Sequence, residues 1–283
     1  MIVSGSGPRF RRLLIALALV SMLGEPAQAE RVVAPSDVLP SGSAELGVAF
    51  VDVRSDFDLS SGPFDAQADL RESLLSVHAA AWGPDGLSLD LVQPFGLDGR
   101  STIAGMTTEA DAGAGDLTVG ASWLPARGRA RFGPRIAVTL ETGADDWTNN
   151  RTDVEFAGLA AFKVAAPHEV FGVLGYTVTG EDESGVNQGD DLSLRLGGNI
   201  RVARSSVVPE FGFLRSADDE NDEGGIWALA LSVAIAYEVA DGVTPFAGLA
   251  YLIIPSQDIG RNVDMSGSGT GVNVGILVAG DVF

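Results

Sequence analysis

The sequence predicts an all-β fold, a transmembrane antiparallel up-and-down β-barrel of about 12 strands. Three observations carry this. In Trp227 to Val239 (WALALSVAIAYEV) every second residue is large and apolar and most of the others are small, the period of a strand with two different faces. The connections along the chain alternate between tight turns and longer loops, as in barrels of bacterial outer membranes. After the first thirty residues no stretch approaches the ~20 apolar residues of a spanning helix, so a closed sheet is the remaining way across a bilayer.

The chain begins with Arg9, Arg11 and Arg12, an apolar run from Leu13 to Leu23, and Ala27-Gln28-Ala29 before Glu30. A basic start, an apolar core of this length and a small-residue site form a secretory signal peptide, so residues 1–29 are expected to be removed. The loss of three Arg and one Glu takes the formal charge from −20 to −22. An acidic balance of this size repels phosphate backbones, which argues against nucleic acid as a partner. The absence of Cys rules out disulfides and thiolate metal sites. Residues 30–43 read as a short Pro- and Ser-containing periplasmic lead-in, and 44–283 as the barrel.

Strands are expected at roughly 44–54, 69–82, 87–94, 116–124, 130–142, 152–165, 169–179, 192–203, 207–215, 226–239, 243–255 and 271–283. The connections at 83–86, 125–128, 166–168, 204–206 and 240–242 are tight; those at 55–68, 95–115, 143–151, 180–191, 216–225 and 256–270 are longer. With an even strand number, this rhythm puts both termini at the short-turn, periplasmic end. Trp227 and Tyr237 are ten residues apart; at about 3.3 Å per residue and a tilt of roughly 35–45°, they span the ~25 Å between the aromatic girdles of an outer-membrane barrel. Trp82, Trp123 and Tyr237 each close an even-numbered strand before a tight turn and are expected in the periplasmic girdle.

Alternation divides several strands into an apolar and a charged set, and the apolar set is expected to face lipid. Phe132, Ile136 and Val138 alternate with Arg131, Arg135 and Glu141; Val154, Phe156 and Phe162 with Asp153, Glu155 and Lys163; Leu194, Leu196 and Ile200 with Arg195 and Arg201. Arg131, Arg135, Glu141, Asp153, Glu155, Lys163, Arg195 and Arg201 are therefore the candidate lumen lining. They either select solutes or close the lumen by pairing. The first two strands alternate poorly: Trp82 cannot share a lipid face with Leu70 and Leu74 without exposing Glu72, Ser76 and His78, so an irregularity is expected there. Pro134, Pro209 and Pro245 interrupt odd strands and predict bulges or late strand starts.

Trp82 to Phe95 (WGPDGLSLDLVQPF), Gly113 to Trp123 (GAGDLTVGASW) and Leu140-Glu141-Thr142-Gly143 resemble the bacterial outer-membrane family named for the MetA pathway of phenol degradation, in a wider group of channels assigned to hydrophobic compounds. The resemblance rests mainly on Gly-Asp-Leu-Thr-x-Gly. It implies an outer-membrane barrel with a transport role and carries over no substrate and no binding residues.

The chain ends Asp281-Val282-Phe283, and a terminal aromatic of this kind is read by the barrel-assembly machinery. Either Asp281 lies on the lipid face at the interface, or Phe283 is out of register with the apolar series Val272, Val274, Ile276 and Val278. Two loops are strongly acidic, Glu181 to Asp191 and Asp218 to Glu223, the latter close to the start of a calcium loop but without its terminal Glu. Such loops either bind divalent cations that bridge to lipopolysaccharide phosphates, enrich cations at a pore mouth, or stay solvated. His78 and His168 are the only histidines, which leaves catalytic triads and zinc sites little to stand on. No cofactor and no enzymatic activity are expected. The function read from sequence is a passive channel or uptake protein for small solutes, hydrophobic ones included; the alternative is a structural or interaction barrel with a plugged lumen.

Overall fold

A computed structural model of the chain describes residues 38–61, 64–125, 127–144, 147–148, 151–180, 189–217, 225–259 and 263–281. The expected signal peptide, most of the expected lead-in, the acidic stretches 181–188 and 218–224 and the terminal Phe283 lie outside them. The strands are β1 (Ser43–Ser61), β2 (Phe64–Trp82), β3 (Leu87–Ile103), β4 (Met106–Ala110), β5 (Gly113–Ala114), β6 (Leu117–Trp123), β7 (Ala130–Leu140), β8 (Asp153–Ala165), β9 (His168–Val178), β10 (Asp191–Val202), β11 (Ser205–Ser216), β12 (Trp227–Tyr237), β13 (Val243–Asp258) and β14 (Asp264–Asp281).

Every neighbouring pair is antiparallel, β14 returns to β1, and the β2–β3 pairing completes the circle, so twelve strands form a closed barrel. β4 and β5 pair only with β3. The seam closes in continuous register from Ser43 opposite Asp281 to Ser60 opposite Asp264. No helix of the described residues is long and apolar enough to cross a membrane.

The outside of the barrel is apolar. On β12, Trp227, Leu231, Val233, Ile235 and Tyr237 are exposed, while Ala228 and Ala236 between them are buried. Leu87, Leu89 and Leu91, Phe132 and Ile136, Leu174 and Tyr176, and Val272, Val274, Ile276 and Val278 continue the band around the sheet. A water-soluble sandwich buries such residues; their exposure here is the inversion that lipid demands. On β14 the outward series is the valine series. Asp281 belongs to the inward one, where the Ser43 hydroxyl donates to its Oδ1 at 3.3 Å.

The strands are of two heights. β6 to β12 match the sequence expectation and β13 exceeds it by three residues, but β1, β2, β3 and β14 run well past it into stretches that read as loops. At about 3.3 Å per residue and a ~40° tilt, the nineteen residues of β1 reach far beyond a 25 Å band. They form a tall wall on one side of the mouth. Its chemistry explains the poor alternation of β1 and β2. Below Val51 the outward residues Leu46, Val48 and Phe50 are apolar; above it the outward residues are Arg54, Asp56 and Asp58, and the buried inward ones are Val53 and Phe57. The period of two is unbroken while the apolar phase changes face where the sheet leaves lipid for water. β2 repeats this, with Asp69 and Arg71 outside and Leu70 and Leu74 buried inside.

Two expectations are corrected. Trp82 is not part of the girdle: it is only 6% exposed and continues the inward series of Ser76, His78 and Ala80. Trp123 and Tyr237 do lie exposed at the short-turn end. The irregularity near β2 is a bulge in β3, where Ser73 pairs with Asp98 but Leu74 pairs with Gly96, leaving Leu97 as the extra residue. The three prolines cause neither bulges nor late starts. Pro134 lies below the last β6–β7 pair, Arg135 with Ser122; Pro209 falls in the gap between the pairs Gly197–Glu210 and Ile200–Val207; Pro245 lies below the last β12–β13 pair, Ala236 with Phe246. Each missing donor coincides with an interruption of one ladder, so little is lost.

Candidate functional site

The inner wall carries a belt of opposed charges built from alternate positions of neighbouring strands. Arg135 of β7 grips Asp90 of β3 through Nη1–Oδ1 at 2.6 Å and Nη2–Oδ2 at 3.0 Å. Its Nε lies 3.9 Å from Glu155 on β8. Further round, Arg195 of β10 approaches Glu210 of β11 at 4.0 Å. Nearer the short-turn end, Arg131 of β7 donates to Glu169 of β9 at 2.5 Å, both side chains buried, and His78 lies 3.8 Å from Glu45.

These side chains lie along the wall because glycines on intervening strands make room. A Cβ on Gly120 of β6 would stand 2.6 Å from Asp90 Oδ2 and 2.8 Å from Arg135 Nη2. On Gly175 it would meet Ser193 Oγ at 2.5 Å and Glu155 Oε1 at 2.8 Å, and on Gly248 it would meet Asn273 Oδ1 at 2.3 Å. Contacts this close leave no space for a methyl group.

Of the residues singled out by alternation, Arg131, Arg135 and Arg195 therefore come together with acids across the inner wall, Glu155 being one of the acids beside Arg135. Asp153 lies apart at the loop end, buried, holding Arg151 Nε at 3.0 Å and the Gly180 amide at 3.0 Å. Glu141 follows the last residue of β7 and is exposed at the loop end. Lys163 is exposed at the short-turn end opposite Glu169. Arg201 is half-exposed at that same end, its amide donating to His168 Nδ1 at 3.3 Å. Asp90, Glu169 and Glu210 complete the pairs, and all three stand in inward register beside the outward Leu89, Val170 and Phe211. Among the described residues no three His, Asp or Glu side chains converge as metal ligands.

The three stretches that carry the family resemblance meet in space. Asp116 Oδ1 accepts the amides of Thr142 at 3.1 Å and Gly143 at 2.9 Å and the Thr148 hydroxyl at 2.8 Å. Trp123 donates from Nε1 to the Asp85 carbonyl at 3.1 Å. Gly120, the last glycine of the motif, is the one beneath the Arg135–Asp90 pair. The motif thus encodes loop anchoring and space for an ion pair.

Three apolar clusters lie in the interior, the smallest of Ala49, Ala236, Phe246 and Leu277. At the loop end Val51, Val53, Phe57, Leu70, Leu74, Leu214, Leu252, Ile254 and Met265 are buried together, and Trp147 packs against them. At the short-turn end Leu124, Leu159, Phe171, Val173 and Val208 cluster, and Val38 packs against them. Val38 precedes β1, whereas this cluster, apart from Leu124 just after β6, lies on β8, β9 and β11, across the ring from β1. The chain turns sharply between the two: the Ser43 amide donates to Pro40 O at 3.1 Å, the Gly42 amide to Trp82 O at 2.8 Å, and Gly42 takes a φ of +89° that suits a residue without a Cβ.

With this geometry in hand, the fold is recognisable. The chain has the fold of an outer-membrane β-barrel. It superposes on the COG4313 outer membrane channel from Pseudomonas putida F1 with a TM-score of 0.69 at 15% identity, covering 89% of this chain and 100% of that one. The translocator domain of the autotransporter NalP from Neisseria meningitidis follows at a TM-score of 0.53 and 14% identity, covering 95% and 97%. No protein-family model matches the sequence, and no curated protein matches it. At these identities the likeness is one of fold.

Proposed function

We propose that this barrel is a passive channel of the outer membrane for small solutes, hydrophobic ones among them. The observation that carries the reading is the inner wall: charged side chains are paired and held along the wall over Gly120 and Gly175, an arrangement that keeps them out of the axis. The fold likeness to a channel and the resemblance of the Gly-Asp-Leu-Thr-x-Gly stretch to the MetA-pathway family support it. In this reading residues 1–29 direct export and are cleaved, Phe283 engages the assembly machinery, and the acidic loops face lipopolysaccharide. The specific observation favouring a plugged structural barrel instead is Val38, which crosses the short-turn mouth.

Purified full-length barrel in planar bilayers separates the two. Discrete conductance steps, with liposome swelling in small neutral solutes, are expected of the channel. Silence in both assays across voltage and solute size would leave the structural barrel as the reading.

A further inference from the structure

The loop-end cluster draws on the inner faces of β1, β2 and β11 to β14, and Trp147 packs against it while lying over β3. Beneath the indole the β3 wall is bare. A Cβ on Gly96 would fall 1.8 Å from Trp147 Cε2, on Gly99 it would fall 3.2 Å from Cη2, and on Gly113 it would fall 3.1 Å from Cδ1. Gly96 and Gly99 are buried on the inner face of β3, and Gly96 pairs directly with Gly113 of β5. Glycine costs a strand both entropy and packing, so Gly96, where a Cβ would overlap the ring outright, marks a close approach that the sequence provides for, and Gly99 and Gly113, where a Cβ would first meet Ala110 and Ala144, border it.

The indole is also tied down. Its Nε1 donates to the Asp111 carbonyl, and the Trp147 amide donates to Ala144 O at 2.7 Å. The Ala144 amide donates to Ala114 O at 2.7 Å, and Thr148 is held by Asp116 as described above. One face of the ring is thus laid on glycine and the residue is fixed against the apolar cluster at the loop end of the barrel. An aromatic ring there is rigid and bulky at little entropic cost, with only two side-chain torsions to fix.

We propose that Trp147 sets the aperture of the loop-end entrance and thereby the largest solute cross-section the barrel admits. This rests on the channel reading. It assigns a specificity-determining role to a residue outside the charged belt, and it gives Gly96, Gly99 and Gly113 the role of holding the ring clear of the axis.

The test uses full-length protein in planar bilayers and in swelling assays with neutral solutes of graded cross-section. Trp147→Ala is expected to raise single-channel conductance and shift the size cut-off upwards, with Trp147→Phe in between. Gly96→Ala is expected to displace the ring and change conductance in the wild-type background but to have no effect once Trp147 is Ala, a non-additivity diagnostic of direct contact. If wild type conducts and both Trp147 variants fold, with the heat-dependent gel shift of an intact barrel, but conductance and cut-off do not move, the aperture role is wrong while the channel reading stands. If neither wild type nor any variant conducts, the channel reading fails and takes this inference with it.

Discussion

Arg135 of β7 and Asp90 of β3 meet across β6, a strand to which neither belongs, and their two hydrogen bonds lie directly over Gly120. The pair is possible only because position 120 carries no side chain. Gly120→Ala is therefore expected to destabilise the barrel by splitting the pair, and Asp90→Asn by leaving the guanidinium only the more distant Glu155 as a counter-charge, each by roughly 3 kcal/mol, the lower end for a broken buried pair. Urea unfolding in detergent measures both. In an Asp90→Ala, Arg135→Ala background Gly120→Ala should be close to neutral; an unchanged cost there would mean that the methyl group clashes with the backbone and not with the pair.

The direction of each β12 side chain sets the whole membrane assignment. Leu231 is 52% exposed on the outer face and its neighbour Ser232 points inward. Leu231→Arg should cost about 2–4 kcal/mol at the bilayer midplane, whereas Ser232→Arg should fold and alter the lumen. Because an arginine would also damage a soluble core, the deciding measurement is a fluorescent probe at each position in liposomes. Lipid-attached quenchers should reach 231 and not 232; equal protection of both would end the lipid-facing reading.

The two ends of the barrel should differ in accessibility on intact cells. Gly105, in the turn joining β3 to β4 at the top of the tall wall, has a φ of +80° and open space around it, and Asp241 is fully exposed in the turn between β12 and β13. The chain has no Cys, so single cysteines report cleanly. A membrane-impermeant thiol reagent should label Gly105→Cys and spare Asp241→Cys. Labelling of 241 and not 105 would turn the barrel over.

Much of this architecture is legible in the sequence, and the reasons are local. The band of β6 to β12 is readable because alternation there runs from girdle to girdle in a single environment. The tall wall is not, because β1 and β2 pass from lipid into water and their apolar residues change face at Val51. A reader looking for one apolar phase sees Leu46, Val48 and Phe50 followed by Arg54, Asp56 and Asp58, and assigns a loop. The inward arginines are legible; their partners are less so, since Asp90 is reached only across β6 and Glu169 only across β8. Trp147 is invisible to alternation because it belongs to a connection. Its trace is the spacing of Gly96, Gly99 and Gly113 in strands that would otherwise carry side chains.

Above the membrane, Asp56 stands directly opposite Asp69 on the outer face of the tall wall. A carboxyl–carboxyl hydrogen bond to Asp69, then desolvation and the charges of Asp69 and Asp58, push Asp56 above the usual carboxylate range. A raised folded-state value means the contribution is fully present below the ordinary carboxylate pKa and is lost as pH climbs through the folded value. The β1–β2 hairpin should thus be better protected from amide exchange in mild acid than at neutrality. Asp56→Asn should flatten that dependence and gain roughly 0.5 kcal/mol or less at pH 7, as expected for removing an exposed like-charge cross-strand pair. An unaltered pH profile in the Asn variant would assign the effect to other carboxylates.

The path of the chain before β1 makes the last prediction. The bonds from Gly42 to Trp82 and from Ser43 to Pro40 reverse the backbone at the foot of β1, and Val38 then reaches a cluster whose strands lie across the ring. A segment hanging into the periplasm would leave Val38 in water, at a cost of about 1.5–3 kcal/mol for a fully buried side chain of this size and proportionally less for one partly buried. Cysteine at 38 paired with cysteine at Leu124, Phe171 or Val208 is therefore expected to cross-link under mild oxidation in at least one combination, whereas cysteine at 38 paired with cysteine at Val48, on the outer face of β1, should not. The reaction can be followed by mobility on a gel with and without reductant. Failure of all three cross-barrel pairs in folded protein would show that the segment does not cross the mouth, and the inward turn at Gly42 would then serve only to start β1.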